Sequence, residues 1–259
     1  MKLGLDGASV FVSGSSRGIG LAAVRAFLGE GANVTLTGRD EASLKSAQAE
    51  LSADYDPEKI ILHQGDLCEI SVIRDAVDAA LERWGKIDCL VASVGTGVIK
   101  AGWNLGDEEW QRALTTNFHA SVRLIEAVAP HMVERNAGAI VAIGSIAGVE
   151  SLGAPLPYGS AKAALSHYVG GLAREVGPSK IRVNCIAPGN IMFPGGRWEE
   201  KVNERPDFFR EYIEREVPLQ RFGTPEEIAN LAVFLCSNIS SFITGTTIIS
   251  DGGQTRSVL

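Results

Sequence analysis

The sequence predicts an α/β protein, a doubly wound, seven-stranded parallel sheet with helices on both faces. Three observations lead there. Short apolar runs rich in Val and Ile alternate with amphipathic helical stretches along the chain, the pattern that parallel strands and their crossover helices require. The first apolar run leads straight into a glycine-rich turn and a helix. The 259 residues, 45% of them hydrophobic, suffice for one large buried core, and no linker, repeat or low-complexity tract marks a second unit. The expected organisation is a single domain over residues 1–259.

Taken in order, residues 8–12 form the first predicted strand, followed by Ser13-Gly14-Ser15-Ser16-Arg17-Gly18-Ile19-Gly20 and a helix over 21–29. A second strand over 34–37 follows Gly31-Ala32-Asn33, and an amphipathic helix spans 40–53. Together they make a βαβ unit, whose crossover is right-handed. Residues 60–63 read as a strand, 69–84 as a helix and 87–91 as a strand. Residues 107–136 read as one helical region interrupted near Thr115 and Pro130. A strand over 139–143, a helix over 157–174, a strand over 181–186, a helix over 224–237 and a strand over 246–249 complete the alternation. One region breaks the rhythm, because after Asn190 about 35 residues separate a strand from the next core helix, and loops of that length in a compact domain are usually functional. This one carries its own helical pattern over 198–216, so residues 190–222 are expected to be a substrate-binding lid.

Composition removes several function classes. The net charge is −7 and the 24 basic residues are scattered, so a nucleic-acid or anionic-membrane surface is not expected. The opening residues Met1 to Gly7 lack the apolar run of a signal peptide, and no stretch reaches the roughly 18 apolar residues of a membrane span. A soluble cytoplasmic protein is the expectation. Cys68, Cys89, Cys185 and Cys236, like His63, His119, His131 and His167, lie far apart. Buried free thiols and no metal site are expected.

Chemistry enters with Tyr158-Gly159-Ser160-Ala161-Lys162. Residues four apart on a helix share a face, so Tyr158 and Lys162 point the same way. A phenol with a pKa of about 10 is a poor acid or base at neutral pH, and a nearby ammonium favours the phenolate. At roughly 4 Å and an effective dielectric of about 20 the attraction is about 4 kcal/mol, some three pK units. Such a tyrosine exchanges a proton with an alcohol or carbonyl, although the spacing by itself also arises by chance on helices. Gly14, Gly18 and Gly20 offer a tight turn and close approach of backbone N–H groups to a pyrophosphate at a helix N-terminus. Ordinary loop glycines are the rival reading, and the strand before and helix after supply the context that favours phosphate.

With these residues the sequence resembles the short-chain dehydrogenase/reductase family over nearly the whole chain, and within it most the 3-oxoacyl-(acyl carrier protein) reductase branch. The family's T-G-x-x-x-G-x-G appears as Ser13 to Gly20, its catalytic serine as Ser145, thirteen positions before Tyr158, and its Y-x-x-x-K as Tyr158 and Lys162. Its helix asparagine matches Asn117 in Thr115-Thr116-Asn117-Phe118, and its P-G matches Pro188-Gly189 after Asn184. The resemblance implies a Rossmann fold, a homotetramer and a small-molecule carbonyl or alcohol substrate. It implies that Tyr158 is the general acid in reduction and the base in the reverse direction, and that Lys162 lowers its pKa and bonds the nicotinamide ribose. Ser145 would hold the substrate oxygen, and Asn117 would position a water that links Lys162 to solvent. The cofactor contacts it implies are Gly14, Ser16, Arg17, Gly18, Ile19 and Gly20 in the turn, Asp66 and Leu67 at the adenine, Gly95, Tyr158 and Lys162, and Pro188, Gly189 and Ile191.

The cofactor itself is read from the end of the second strand, where an acid would bond the ribose 2′-hydroxyl. The matching position is Gly38, and its neighbour Arg39 can reach a 2′-phosphate instead. Arg17 is a possible second clamp, although arginine also occurs there in members that use NAD. NADP(H) is expected, with NAD(H) the alternative; a solvated Arg39 paired with Asp40 is the bland reading, as an ordinary helix cap is for Asp66. Two departures stand out. The family's N-N-A-G is Ala92-Ser93-Val94-Gly95, and Phe193 replaces a threonine that bonds the carboxamide or pyrophosphate. Pocket candidates are residues 96–103, 149–156 and 190–222. Phe193, Trp198, Phe208, Phe209 and Tyr212, with Arg197, Arg205 and Arg210, fit an apolar substrate with an anionic tail or, equally, aromatics packed on the core. The expected activity interconverts a ketone and a secondary alcohol. Its rivals are an NAD-dependent alcohol or sugar dehydrogenase and a non-catalytic dinucleotide-binding sensor.

Overall fold

The apolar runs become strands because side chains alternate across a sheet that is buried on both faces. In the computed structural model, which describes residues 2–256, β1 is Ser9–Val12, β2 Asn33–Gly38, β3 Ile60–Gln64, β4 Cys89–Ala92, β5 Gly138–Ile143, β6 Ile181–Pro188 and β7 Thr247–Ser250. Met1 and residues 257–259, part of the expected domain, lie outside the described residues. The sheet order is β3-β2-β1-β4-β5-β6-β7, and every neighbouring pair is parallel. Val10 and Val12 of β1 face one apolar cluster while Phe11 faces the other; Cys89 and Val91 of β4 likewise oppose Leu90 and Ala92.

Helices fill both sides. Of the nine α-helices among the described residues, α1 (Gly18–Gly29), α2 (Glu41–Asp54) and α9 (Pro225–Cys236) cover one face. On the other lie α3 (Ile70–Trp84), α5 (Ala120–Arg135) and α6 (Leu156–Val176). The strand order reverses between β1 and β4, and a doubly wound sheet opens its binding crevice at the carboxyl ends of the strands at that switch point. The turns that follow β1, β4, β5 and β6 are the ones that carry Gly14, Gly95, Ser145 and Gly189.

Most boundaries fall within one or two residues of expectation, and three features do not follow it. The region 107–136 is α4 (Asp107–Leu114), a π-helical segment Thr115–His119 and then α5, so the break near Thr115 is a widened turn. Pro130 interrupts nothing and lies inside α5. An interior proline loses a donor and crowds the carbonyl four residues back, and burial of Val128, Ala129 and Met132 against the sheet keeps the helix intact. The lid pattern is two helices, α7 (Arg197–Glu204) and α8 (Pro206–Glu216). A residue before proline is driven out of the α region, and Arg205, at φ −145° and ψ 65°, ends the first of them.

Gly20 has the least room of the glycines at the first turn. A Cβ there would lie 2.4 Å from the Gly14 carbonyl oxygen and 2.8 Å from Ser15 Cα, both backbone atoms that cannot step aside alone. Gly20→Ala is expected to lower unfolding stability by about 1–3 kcal/mol, read as a drop in the denaturant midpoint. An unchanged midpoint would show the turn to be slack.

Candidate active site

Ser145, Tyr158 and Lys162 meet because two glycines let a turn lie on a helix. After β5 the chain is extended at Ser145, whose Oγ accepts from Ala147 N at 3.2 Å and opens a 3₁₀ turn, Ile146–Gly148. A Cβ on Gly148 would lie 2.6 Å from Ala163 N, and one on Gly159 would lie 2.8 Å from the Ala147 oxygen. Without those atoms the turn packs directly on the first half of α6. The Ser145 hydroxyl is thereby placed beside Tyr158, where it draws the phenol's proton affinity down, and Lys162, 4% exposed, donates from Nζ to the Ile143 oxygen at 2.8 Å.

The electrostatics of the pair run opposite to the expectation from spacing. Tyr158 is half-buried, and loss of solvent pushes its phenol above the usual value, with the Ser145 hydrogen bond acting the other way. Burial also pushes Lys162 down to about 8, with a smaller opposing effect from Cys185. Each group loses water around its charged form, and the Lys162 amine spends a donor on a main-chain carbonyl. The structure therefore presents a protonated phenol beside a lysine that titrates near neutrality.

Asn117 sits in the π segment, where Ala120 N donates to the Thr115 oxygen five residues back. It is fully buried. Its Nδ2 donates to the Ala113 oxygen at 3.2 Å and its Oδ1 accepts from Thr96 N at 2.9 Å. A Cβ on Gly95 would lie 3.0 Å from Asn117 Oδ1 and 3.3 Å from Lys162 Nζ. The asparagine side chain is thus committed to backbone, and what it fixes is the loop after β4 against Lys162.

The glycine-rich turn is tied to the strands on both sides. Ser13 Oγ accepts from Ser93 N at 2.8 Å and Val94 N at 3.2 Å, so the hydroxyl just after β1 anchors the segment in which Ala92-Ser93 replaces two asparagines. Gly14 N donates to Thr37 Oγ1 at 3.1 Å and Thr37 N donates to Ser15 Oγ at 2.9 Å. Gly14 and Gly18 have φ of +62° and +57°, values that glycine adopts without strain. α1 begins at Gly18 with no acidic residue in its first turn and no side-chain cap, which leaves its first N–H groups and the positive end of its dipole for an anion. These features fit a dinucleotide pyrophosphate. Gly14, Arg17, Gly18, Ile19, Gly20, Gly95, Asn117, Ser145, Tyr158, Lys162, Pro188, Gly189 and Ile191 all line one cleft.

Ser16, Arg39, Asp66 and Leu67 lie outside that lining, around the ends of β1, β2 and β3. Ser16 Cβ would be 3.3 Å from a Cβ on Gly38. Arg39 is exposed and forms no ion pair among the described residues. The bland reading, a pairing with Asp40, is not seen; Asp40 instead caps α2, accepting from Ser43 N at 2.8 Å. Asp66 accepts from Cys68 N at 3.0 Å in a local turn before α3, and Leu67 packs in the core. Arg17 is turned to the lid, donating from Nη1 to the Gly195 oxygen at 3.1 Å.

Lid aromatics pack mainly on one another. Trp198 stacks on Tyr212 with centroids 6.2 Å apart and meets Phe209 edge-on at 5.8 Å. Arg197 pairs with Glu200, Arg210 with Asp207, and Arg205 lies over the Phe208 ring. Each of these three cations has a local partner, and of the three Arg197 also lines the cleft. Phe193 and Trp198 reach the cleft. Sequence reasoning missed the Ile143 carbonyl, Gly148 and Gly159. A carbonyl carries no side-chain signal, and the two glycines matter only for what they touch.

A family model described as enoyl-(acyl carrier protein) reductase matches residues 14–255. A 3-oxoacyl-[acyl-carrier-protein] reductase of Chlamydia muridarum is 36% identical over 95% of this chain and 96% of its own. The solved L-sorbose reductase of Gluconobacter frateurii, complexed with NADPH and L-sorbose, superposes with a TM-score of 0.93 at 32% identity over 100% of both chains. A 7α-hydroxysteroid dehydrogenase complexed with NADH and 7-oxo glycochenodeoxycholic acid has a TM-score of 0.89 at 28% identity, covering 99% of this chain and 97% of its own.

The depressed Lys162 pKa has a consequence for stability. In the unfolded chain Lys162 holds its proton up to about 10.4, and in the folded chain only up to about 8. Between those values the unfolded state binds more protons, so stability rises with pH. Wild type is expected to gain stability relative to Lys162→Met as pH increases from 8 to 10, followed by chemical denaturation; parallel curves would refute the shift.

Proposed function

The chain belongs to the short-chain dehydrogenase/reductase family of oxidoreductases acting on CH–OH and carbonyl groups, and we propose that it interconverts a ketone and a secondary alcohol with NADP(H), Tyr158 being the general acid and base. The observation that carries this reading is the convergence of Ser145, Tyr158, Lys162, Asn117 and the glycine turn on one cleft. When bound, a dihydronicotinamide supplies the hydride.

The chain's own groups then have distinct tasks. Tyr158, kept protonated by burial, gives its proton to the substrate oxygen in reduction. Ser145 holds that oxygen and stabilises the charge that develops on it. Lys162, with a pKa of about 8, offers positive charge to the phenolate that the transfer leaves. Asn117 keeps the floor of the cleft in place through Thr96. Gly14, Gly18, Ile19 and Gly20 hold the pyrophosphate, Ser16, Asp66 and Leu67 frame the adenosine end, and Gly95, Pro188, Gly189 and Ile191 frame the nicotinamide end. Residues 190–222 cover the substrate.

NADP(H) is favoured over NAD(H) by the exposed, unpaired Arg39 beside Gly38, a position without the acid that would bond a 2′-hydroxyl. The sorbose reductase solved with NADPH and the steroid dehydrogenase solved with NADH show that both choices occur among similar proteins. Arg17 is engaged with the lid, so Arg39 carries the discrimination.

Two measurements test this. A panel of ketones, acyl thioesters and sugars with NADPH is expected to reveal turnover that falls about 10²–10⁴-fold in Tyr158→Phe, with NADPH affinity retained; a variant keeping more than a tenth of the activity would sink the proton-transfer role. Arg39→Ala should raise the KM for NADPH about 10-fold or more, the worth of a charge-assisted hydrogen bond, and leave that for NADH alone. Equal effects on both cofactors would remove Arg39 from 2′-phosphate recognition.

A further inference from the structure

We propose that Phe193 sets how tightly this chain holds a dinucleotide, by covering with its ring the face of Gly18 that the pyrophosphate needs. The inference rests on the reading that the glycine turn binds NAD(P), and it adds a residue that opposes that binding.

Gly18 is the first residue of α1, and its missing side chain leaves the start of the helix bare. Such a glycine lets phosphate oxygens approach the backbone donors closely. Here the bare face is filled from the chain itself. A Cβ on Gly18 would lie 2.7 Å from Phe193 Cζ, 2.9 Å from Cε2 and 3.0 Å from Cε1, so the ring tip takes up the space a side chain would have used. The ring also meets Gly196, where a Cβ would lie 3.0 Å from Cζ and 3.1 Å from Cε1. Two glycines form a slot, and the ring lies in it.

The segment is fastened there. Gly196 N donates to the Phe193 oxygen at 3.0 Å, Gly195 N to Glu199 Oε2 at 2.7 Å, and Arg17 Nη1 to the Gly195 oxygen. The ring is half-buried and packs against the same apolar cluster as Ile19. A pyrophosphate and the ring cannot both touch Gly18. The form that binds is therefore the one with the ring withdrawn, and the measured affinity is the intrinsic affinity reduced by the population of that form. A ring that re-seats behind a departing cofactor also favours its release.

Because the pyrophosphate is common to both dinucleotides, the effect is independent of the 2′-phosphate. The test is calorimetric titration of the full chain with NADPH, NADH, ADP-ribose and 2′-AMP, in wild type, Phe193→Ala, Phe193→Leu and Phe193→Trp. In Phe193→Ala the first three ligands are expected to bind about tenfold more tightly, with 2′-AMP, which lacks the pyrophosphate, within about twofold. Phe193→Leu, the milder change, shifts the same way and serves where the alanine variant loses its helical circular dichroism. Phe193→Trp binds all three more weakly. Unchanged or weaker binding of ADP-ribose in both smaller variants overturns the proposal, making Phe193 a wall of the site. Failure of wild type and every variant to bind any of the three dinucleotide ligands sinks the dinucleotide reading, and the proposal with it; a shift in the NADPH to NADH ratio alone bears only on Arg39.

Discussion

Burial of the Lys162 amine at the carboxyl end of the sheet is the constraint on which the rest of the site depends. An amine taken out of water needs a partner, and the Ile143 carbonyl at the end of β5 provides it at 2.8 Å. That contact requires α6 to approach the strand end within the reach of one side chain. Gly148 and Gly159 make the approach possible, since a Cβ on either would strike backbone. Once α6 is seated, Ser145 and Tyr158 meet as a consequence, and the same burial raises the phenol and lowers the lysine. Geometry and proton affinity thus have one origin.

The cofactor side of the cleft is organised on a different principle. The surface it presents is backbone, and its side chains hold that backbone in place. Ser13, Ser15 and Thr37 tie the turn to β2 and to the segment after β4. All three are fully buried, and each hydroxyl both donates to and accepts from main-chain groups of β1, β2, β4 or the loops that follow them, as a low-dielectric interior demands. This explains how Ala92-Ser93 can replace two asparagines without loosening the sheet, because the Ser13 hydroxyl accepts the amide hydrogen bonds there. Asn117 works in the same manner, through Thr96 N.

The fold was legible in the sequence because its signal is periodic. Every strand was visible as an apolar run, and the motif residues Gly14, Ser145, Tyr158 and Lys162 fell at strand ends or on the following helix. What escaped was whatever depends on contacts across the chain. Pro130 reads locally as a break, and packing of α5 against the sheet overrides it. Spacing placed Lys162 beside Tyr158 and suggested a depressed phenol, whereas burial, which sequence does not display, reversed the direction. Arg205 was readable in principle, since the proline after it forbids a continuous helix.

The lid joins the two halves of the cleft through a short stretch of chain. Phe193 stands on the first residue of α1, and Trp198, one turn into the lid, lines the same cleft and stacks on Tyr212. Tyr212 in turn accepts from Asn190 at 3.2 Å and from Gln254 at 2.7 Å. Arg256 continues the link, donating from its backbone to Glu150 beyond the catalytic turn and from its side chain to Glu216 at the end of α8. The lid is therefore held at its start by the cofactor turn and at its far end by the C-terminal segment and the loop after Ser145. Phe193 and Trp198 thus share one cleft, the first seated on the glycine turn and the second joined to the aromatic cluster that the C-terminal segment holds.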